Sequence, residues 1–168
     1  MGGKVTRVRG GEATEPSRLD WQPAMIPFLV TPLSWVIKVS HISLIRVKIV
    51  NPNMDLLKHA VENLAKEMGA EICDSIVNYY GRPVNMRGIV AAIRNNVFHR
   101  GVGIMVKDGE VKLKGDFYGV PDKEIENLKL GLVKHYTALA TATALRNIGY
   151  QVQSTKVKDS IYIKAIAW

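Results

Sequence analysis

Residues 101–120 read GVGIMVKDGEVKLKGDFYGV, and this stretch has the pattern of a β-hairpin that closes on a glycine-bounded turn. Strand-forming residues stand on both sides of Asp108-Gly109, a dipeptide that favours tight primed turns. We therefore predict that Val102–Val106 pairs antiparallel with Val111–Leu113. A carboxylate-free window with several arginines precedes this hairpin, and a long amphipathic helix and a second hairpin that ends at Trp168 follow it.

The segment from Ser40 to Gly69 predicts one strand followed by one helix. Apolar and polar side chains alternate over Ile42–Val50, which is typical of a strand with one buried face. Asn53 is a suitable N-cap, apolar residues then recur at helical spacing, and Gly69 suits a helix end. A first helix is expected over about Met54–Met68.

The next segment is less regular. Glu71–Val77 predicts a strand that contains Cys73, the only cysteine of the chain. A lone cysteine cannot form an internal disulfide, so we expect a buried, inert thiol and an intracellular, cytoplasmic protein. Asn78–Asn85 should be loop, and Val84–Ala92 is open between strand and short helix.

The sequence after the hairpin predicts a second, longer helix and a terminal hairpin. Pro121 stands where a helix can begin, acidic residues follow it, and Gly149 ends the pattern, so the helix should reach about Ile148. Gln151–Lys156 and Ser160–Ala167 then predict two strands around Lys158-Asp159. The inward stripe of the helix is expected at Ile125, Leu128, Leu132, Tyr136, Leu139 and Thr143.

These elements together predict an α+β fold: an antiparallel or mixed sheet of about six strands with two main helices packed on one face. The chain has 168 residues, 47% apolar and 23% charged, which is typical of a globular protein rather than a disordered one. Residues 39–168 should form a single domain. Residues 1–38 form an atypical N-terminal extension, and its apolar part, Ala24–Ile37, is too short and too broken for a membrane span and lacks a signal-peptide cleavage pattern.

The order and spacing of several motifs resemble a known family. Ser40-His41, the helix after the first strand, the hairpin leading to Lys114-Gly115-Asp116-Phe117-Tyr118-Gly119-Val120, the helix with Tyr136 and the terminal Trp168 are similar to the family called hypothetical chloroplast reading frame thirty-five, which occurs in plastids, bacteria and archaea. The resemblance covers about residues 39–168. That family is a domain of unknown function, so the resemblance implies a fold and an intracellular setting, and it supplies no catalytic residues.

The same resemblance leaves two interpretations of the extension open. Val39-Ser40-His41 corresponds to the Met-Ser-His opening of that family, and valine is what a GUG start codon encodes. Residues 1–38 are then either a misannotated start or a genuine arm that packs on the domain.

Charge gives the strongest functional signal. The chain carries a formal net charge of +8, and no carboxylate lies between Asp74 and Asp108. Arginines bind phosphates through their planar fork, and aromatic rings offer stacking platforms for bases. The anion- or nucleic-acid-binding residues predicted in and around this window are Arg82, Arg87, Arg94, Arg100, Lys107, Tyr79 and Tyr80, although a solvated basic face with core tyrosines is the plainer explanation.

Two further groups of residues are candidates for chemistry. The four histidines and one cysteine show no metal-ligand spacing, so we expect no metal and no cofactor. An alternative enzymatic site would gather His99, Arg100 and Asp116. For Asp116 the structural role is favoured: its carboxylate would bond backbone amides while Phe117 and Tyr118 fill space under the second helix.

Three function classes follow, in order of preference. The first is a non-enzymatic accessory protein that binds an anionic partner, such as nucleic acid, or a protein partner. The second is an enzyme acting on an anionic small molecule, and the third is a structural subunit, including a homo-oligomer, that associates through a sheet edge or the second helix. No membrane association is expected.

Overall fold

The computed structural model describes residues 42–167, which all belong to one compact unit. The predicted extension, residues 1–38, lies outside the described residues, as does Trp168. The α+β prediction is confirmed: two helices pack on an antiparallel sheet. The elements are β1 (Ile42–Val50), α1 (Met54–Glu67), β2 (Glu71–Cys73), β3 (Ile89–Arg94), β4 (Val102–Lys107), β5 (Glu110–Asp116), α2 (Asp122–Asn147), β6 (Gln151–Val157) and β7 (Ser160–Ile166).

The predicted hairpin is the centre of the main sheet. β4 and β5 pair antiparallel, with Val106 opposite Val111 and Ile104 opposite Leu113. Asp108 and Gly109 have φ values of 58° and 75°, as a primed turn requires. The full strand order is β1-β5-β4-β3-β2, so the two edge strands, β1 and β2, come from earlier in the chain than the central hairpin.

Helix α1 lies where the sequence predicts it, and local residues determine both of its ends. Asn53 caps it by accepting the backbone N–H groups of Asp55 and Leu56 at 3.0 and 3.1 Å. Gly69, at φ 58°, follows the final turn, where a left-handed residue commonly ends a helix. Burial of Leu57 and Leu64, which are at most 1% exposed, fixes its inner face on the sheet.

The core lies between the two helices and one face of the sheet. β1, β4 and β5 contribute Val47, Ile104 and Leu113, while α2 contributes Leu128 and Leu132. The core is therefore continuous across the helices and the sheet.

Helix α2 is also tied to the start of α1. The Tyr136 hydroxyl accepts the backbone N–H of Asn53 at 2.9 Å.

Three details differ from the sequence-based expectations. The strand predicted over Glu71–Val77 ends at Cys73, because the chain leaves the sheet edge there, and Cys73 is half-buried rather than buried. The ambiguous segment becomes strand β3, displaced to Ile89–Arg94. The expected six-stranded sheet is a five-stranded sheet plus a separate two-stranded one.

That separate sheet is the terminal hairpin, whose strands pair with Thr155 opposite Tyr162. It packs against α2 and does not join the main sheet. A two-stranded hairpin is marginal alone. Its position therefore depends on contacts with the helices.

Glu67, the last residue of α1, provides one such contact. Its carboxylate oxygens lie 2.6 Å from Lys134 Nζ, 2.6 Å from His135 Nε2 and 3.0 Å from Lys156 Nζ, and Lys156 belongs to β6. Partial burial opposes ionisation of Glu67, but hydrogen bonds from these three basic neighbours outweigh it and lower the pKa of the carboxyl from 4.5 to about 2. One carboxylate thus links α1, α2 and the terminal hairpin.

Neither described helix is both long and apolar enough to cross a membrane.

Candidate functional site

Residues 74–88 form a loop that lies across the sheet face opposite the helices. Side chains alternate between faces along a strand, so Arg94, Met105, Lys114 and Asp116 point away from the core. Each contacts this loop: Arg94 Nη2 donates to Ser75 O at 2.8 Å, and Lys114 Nζ donates to Asn85 O at 2.7 Å. The space beside Gly88 is filled by the Met105 methyl group, and Asp116 accepts a backbone N–H of the loop. We call residues 74–88 the outer-face loop.

Two asparagines shape the exposed turns of the outer-face loop. Asn78 Oδ1 accepts the backbone N–H groups of Tyr80 and Arg82 at 2.9 and 3.0 Å. Asn85 Oδ1 does the same for Arg87 at 2.8 Å. Such side-chain turns hold a loop without a sheet partner. These hydrogen bonds fix the backbone at Tyr80, Arg82 and Arg87, and the three side chains are exposed.

Asp116 anchors the loop from beneath. Its side chain has no exposed surface, and its two oxygens accept the backbone N–H groups of Tyr79 at 2.6 Å and Tyr118 at 3.1 Å. Arg100 Nη1 lies 3.9 Å from the same carboxylate and donates to Tyr118 O at 2.6 Å. A buried carboxylate is stable only when it is paired and hydrogen-bonded in this way. The geometry agrees with the amide-bonding role favoured for Asp116.

Three tyrosines meet above this anchor. The ring of Tyr79 stands edge-on to Tyr80 at 5.5 Å and to Tyr118 at 5.2 Å between centroids, and the Arg100 guanidinium lies 5.1 Å from the centre of the Tyr79 ring. Tyr80 is 58% exposed and Tyr118 is 53% exposed. We call Tyr79, Tyr80 and Tyr118 the tyrosine cluster. The rings of Tyr80 and Tyr118 are thus exposed to solvent, and both contact the Tyr79 ring.

The structure divides the predicted basic window into two groups. Arg94 and Arg100 are half-buried and hold backbone carbonyls, so they serve the fold of the outer-face loop. Arg82, Arg87 and Lys107 are exposed, and none of the three forms an ion pair within residues 42–167. The residues available to an anionic partner are therefore fewer than the window suggests.

The alternative enzymatic trio is brought together only in part. Arg100 and Asp116 meet under the tyrosine cluster, whereas His99 lines a cavity of about 500 Å³ together with Glu71 and Arg94. Within the described part of the chain, no three His, Cys, Asp or Glu side chains gather in a geometry that could hold a metal ion.

Sequence reasoning missed one member of the tyrosine cluster. Tyr118 was predicted to fill space under the second helix with Phe117, but only Phe117 packs against the core. Tyr118 lies in the turn that follows β5, where Val120 N–H donates to Phe117 O, so strand alternation gave no guide to the direction of its side chain. Glu67 and its three basic neighbours left no sequence signal, because they come from three separate segments of the chain that converge only in the fold.

Comparison with known proteins adds no identity: no protein-family model, no curated protein and no solved structure matches this chain, so the family resemblance of residues 39–168 stays a prediction.

Proposed function

We propose that this protein is a non-enzymatic binding protein that engages single-stranded nucleic acid through its outer-face loop and tyrosine cluster. The observation that carries the proposal is the pair of exposed rings, Tyr80 and Tyr118, held against Tyr79. Aromatic rings in fixed positions accept any base by stacking, with little loss of side-chain freedom.

Charge beside the rings supports the same partner. Tyr80 and Arg82 lie on one turn, and the Asn78 side chain accepts the backbone N–H of each. An aromatic ring and a guanidinium therefore lie within three residues of each other. Arg87 extends the basic surface from the next turn. A nucleotide presents both a base and a phosphate, and arginine pairs with phosphate through two hydrogen bonds.

The enzymatic alternative has weaker support. A general acid or base has to reach the substrate, and the Asp116 side chain has no exposed surface and accepts two backbone N–H groups. A purely structural subunit would give no reason for an exposed arginine and tyrosine on one ordered turn. Binding of an anionic chain explains both.

Stacking is tested by fluorescence anisotropy with labelled single-stranded DNA and RNA of mixed sequence. Tyr80→Ala should weaken binding by about 1–3 kcal/mol, a loss of affinity of roughly fivefold to 150-fold. The matched control is Tyr162→Ala, which removes an equally exposed ring, 59% against 58%, from the terminal hairpin. Equal effects of the two changes, or no binding of any oligonucleotide at low salt, would refute the proposal.

Phosphate binding is tested by the salt dependence of the same affinity. The variant Arg82→Gln/Arg87→Gln should lower the slope of log affinity against log salt by roughly 0.7 for each phosphate that the protein no longer neutralises. Lys58→Gln/Lys158→Gln removes the same charge from α1 and from the β6–β7 turn, and its slope should match the wild type. Arg94 and Arg100 are left intact, because changing them would disturb the loop itself.

A further inference from the structure

A second cavity, of about 240 Å³, lies between α2 and the terminal hairpin. Its polar lining includes three basic side chains, His135, Arg146 and Lys156, and the hydroxyl groups of Ser154 and Thr155. No carboxylate of the described residues is part of this lining. We call this space the hairpin cavity.

The local charge balance is positive. Lys134 and Lys156 share the single carboxylate of Glu67, which also lies 2.6 Å from His135. Arg146, in the last turn of α2, forms no ion pair with any residue in the described range. Of the two cationic side chains that line the cavity, Lys156 is paired with Glu67 and Arg146 has no ion-pair partner among the described residues, so an anion entering the cavity would supply a counter-charge to Arg146.

The remaining lining is apolar. Ala138, Leu139 and Ala142 of α2 face Ile161 of β7 across the space. At about 30 Å³ per water, the volume equals on the order of eight waters, which is below the roughly 300–1,000 Å³ usual for larger ligands. A ligand of matching chemistry is small and has one charged end and one apolar end.

We propose that the hairpin cavity binds a small organic anion. Its carboxylate or phosphate group contacts Arg146 and Lys156, and its short apolar body packs between Leu139 and Ile161. Because the hairpin touches the rest of the molecule mainly through α2, the bound anion also fastens the hairpin to the helix. This site is separate from the outer-face loop, so its test does not depend on nucleic-acid binding.

The test titrates the intact chain with three probes: hexanoate, its neutral isostere hexanamide, and inorganic phosphate. Binding is measured from the amide chemical shifts in ¹H–¹⁵N spectra. Hexanoate should saturate and shift amides of the second half of α2 and of β6. Hexanamide should bind at least about tenfold more weakly, since it lacks the charge that Arg146 and Lys156 recognise. Saturation by phosphate with no response to hexanoate would overturn the assignment of an apolar body.

Variants test whether hexanoate binds in the hairpin cavity. Arg146→Gln should weaken hexanoate by about tenfold, and Ala142→Leu should abolish binding by filling the space, with Ala138→Leu as a second filling variant if the first fails to fold. Lys158→Gln removes a charge outside the lining and should leave affinity unchanged. Equal binding of hexanoate and hexanamide, or full affinity in Arg146→Gln, would overturn the proposal.

Discussion

Replacing Glu67 with glutamine tests how the helices and the terminal hairpin are held together. The change keeps the size of the side chain and removes the charge that Lys134, His135 and Lys156 share. We expect a clear loss of stability at pH 7, because Lys134 and Lys156 then lose the carboxylate that pairs with both of them. Breaking the shared partner of a partly buried cluster costs more than breaking an exposed pair.

The magnitude follows from the pKa of Glu67. A fall from 4.5 to about 2 corresponds to at most about 3–4 kcal/mol at 1.36 kcal/mol per unit. The Glu67 side chain is 22% exposed and Lys156 is 48% exposed, so solvent screens part of this interaction. We therefore expect Glu67→Gln to lower the free energy of unfolding by about 1–2 kcal/mol.

The pH dependence has a defined sign. The pKa of Glu67 is lower in the folded protein than in the unfolded chain, so its stabilisation is complete above pH 4.5 and is lost as the pH falls toward 2. The difference between wild type and Glu67→Gln should therefore be largest near neutral pH and shrink through that window. Added salt should also reduce it.

Urea unfolding followed by circular dichroism measures this difference, since urea adds no ionic screening. Glu62→Gln is the matched control on the same helix. Among residues 42–167, Glu62 pairs only with His59, at 3.2 Å, and both side chains are more than half exposed, so its loss should stay below about 0.5 kcal/mol. The reasoning fails if the two variants lose the same stability at pH 7. It fails equally if the deficit of Glu67→Gln is unchanged at pH 3.

Two further changes test the packing. Gly101→Ala should lower the free energy of unfolding by about 2–4 kcal/mol, because φ is +81° and a Cβ would lie 2.8 Å from Ile76 Cγ2. Gly119→Ala has the same φ but no atom within 4 Å of the added Cβ, so it should lower stability by about 1 kcal/mol. Equal urea midpoints for the two variants would contradict this. Tyr136→Phe removes the acceptor of the Asn53 backbone N–H and should lower stability by about 1 kcal/mol in the same assay, and an unchanged midpoint would show that water replaces the hydroxyl.

The tight turn and the first helix could be predicted from the sequence because their determinants are local. Asp108-Gly109 adopts the left-handed conformations that its turn demands, and Asn53 caps α1 through its own neighbours. Both ends of α2 were also predicted to within a residue. Each of these features depends on residues within one or two turns of chain.

The candidate site was predictable only in composition. The carboxylate-free window correctly marked a basic segment, yet it could not separate Arg82 and Arg87, which reach solvent, from Arg94 and Arg100, which hold carbonyls of distant segments. The tyrosine cluster needs Tyr118, which joins residues far earlier in the chain. No local pattern reports such a meeting.

The sequence by itself therefore determined the kinds of elements, most of their limits, and the basic character of the middle of the chain, since backbone preference and hydrophobic period act over short range. Only the tertiary structure decided that the terminal hairpin packs on α2 rather than on the sheet, and that Glu67 gathers three basic side chains. It also placed the outer-face loop over Asp116. The physical reason is that these arrangements arise from burial and charge pairing between segments far apart in sequence. Such contacts stabilise the protein only once the chain is compact.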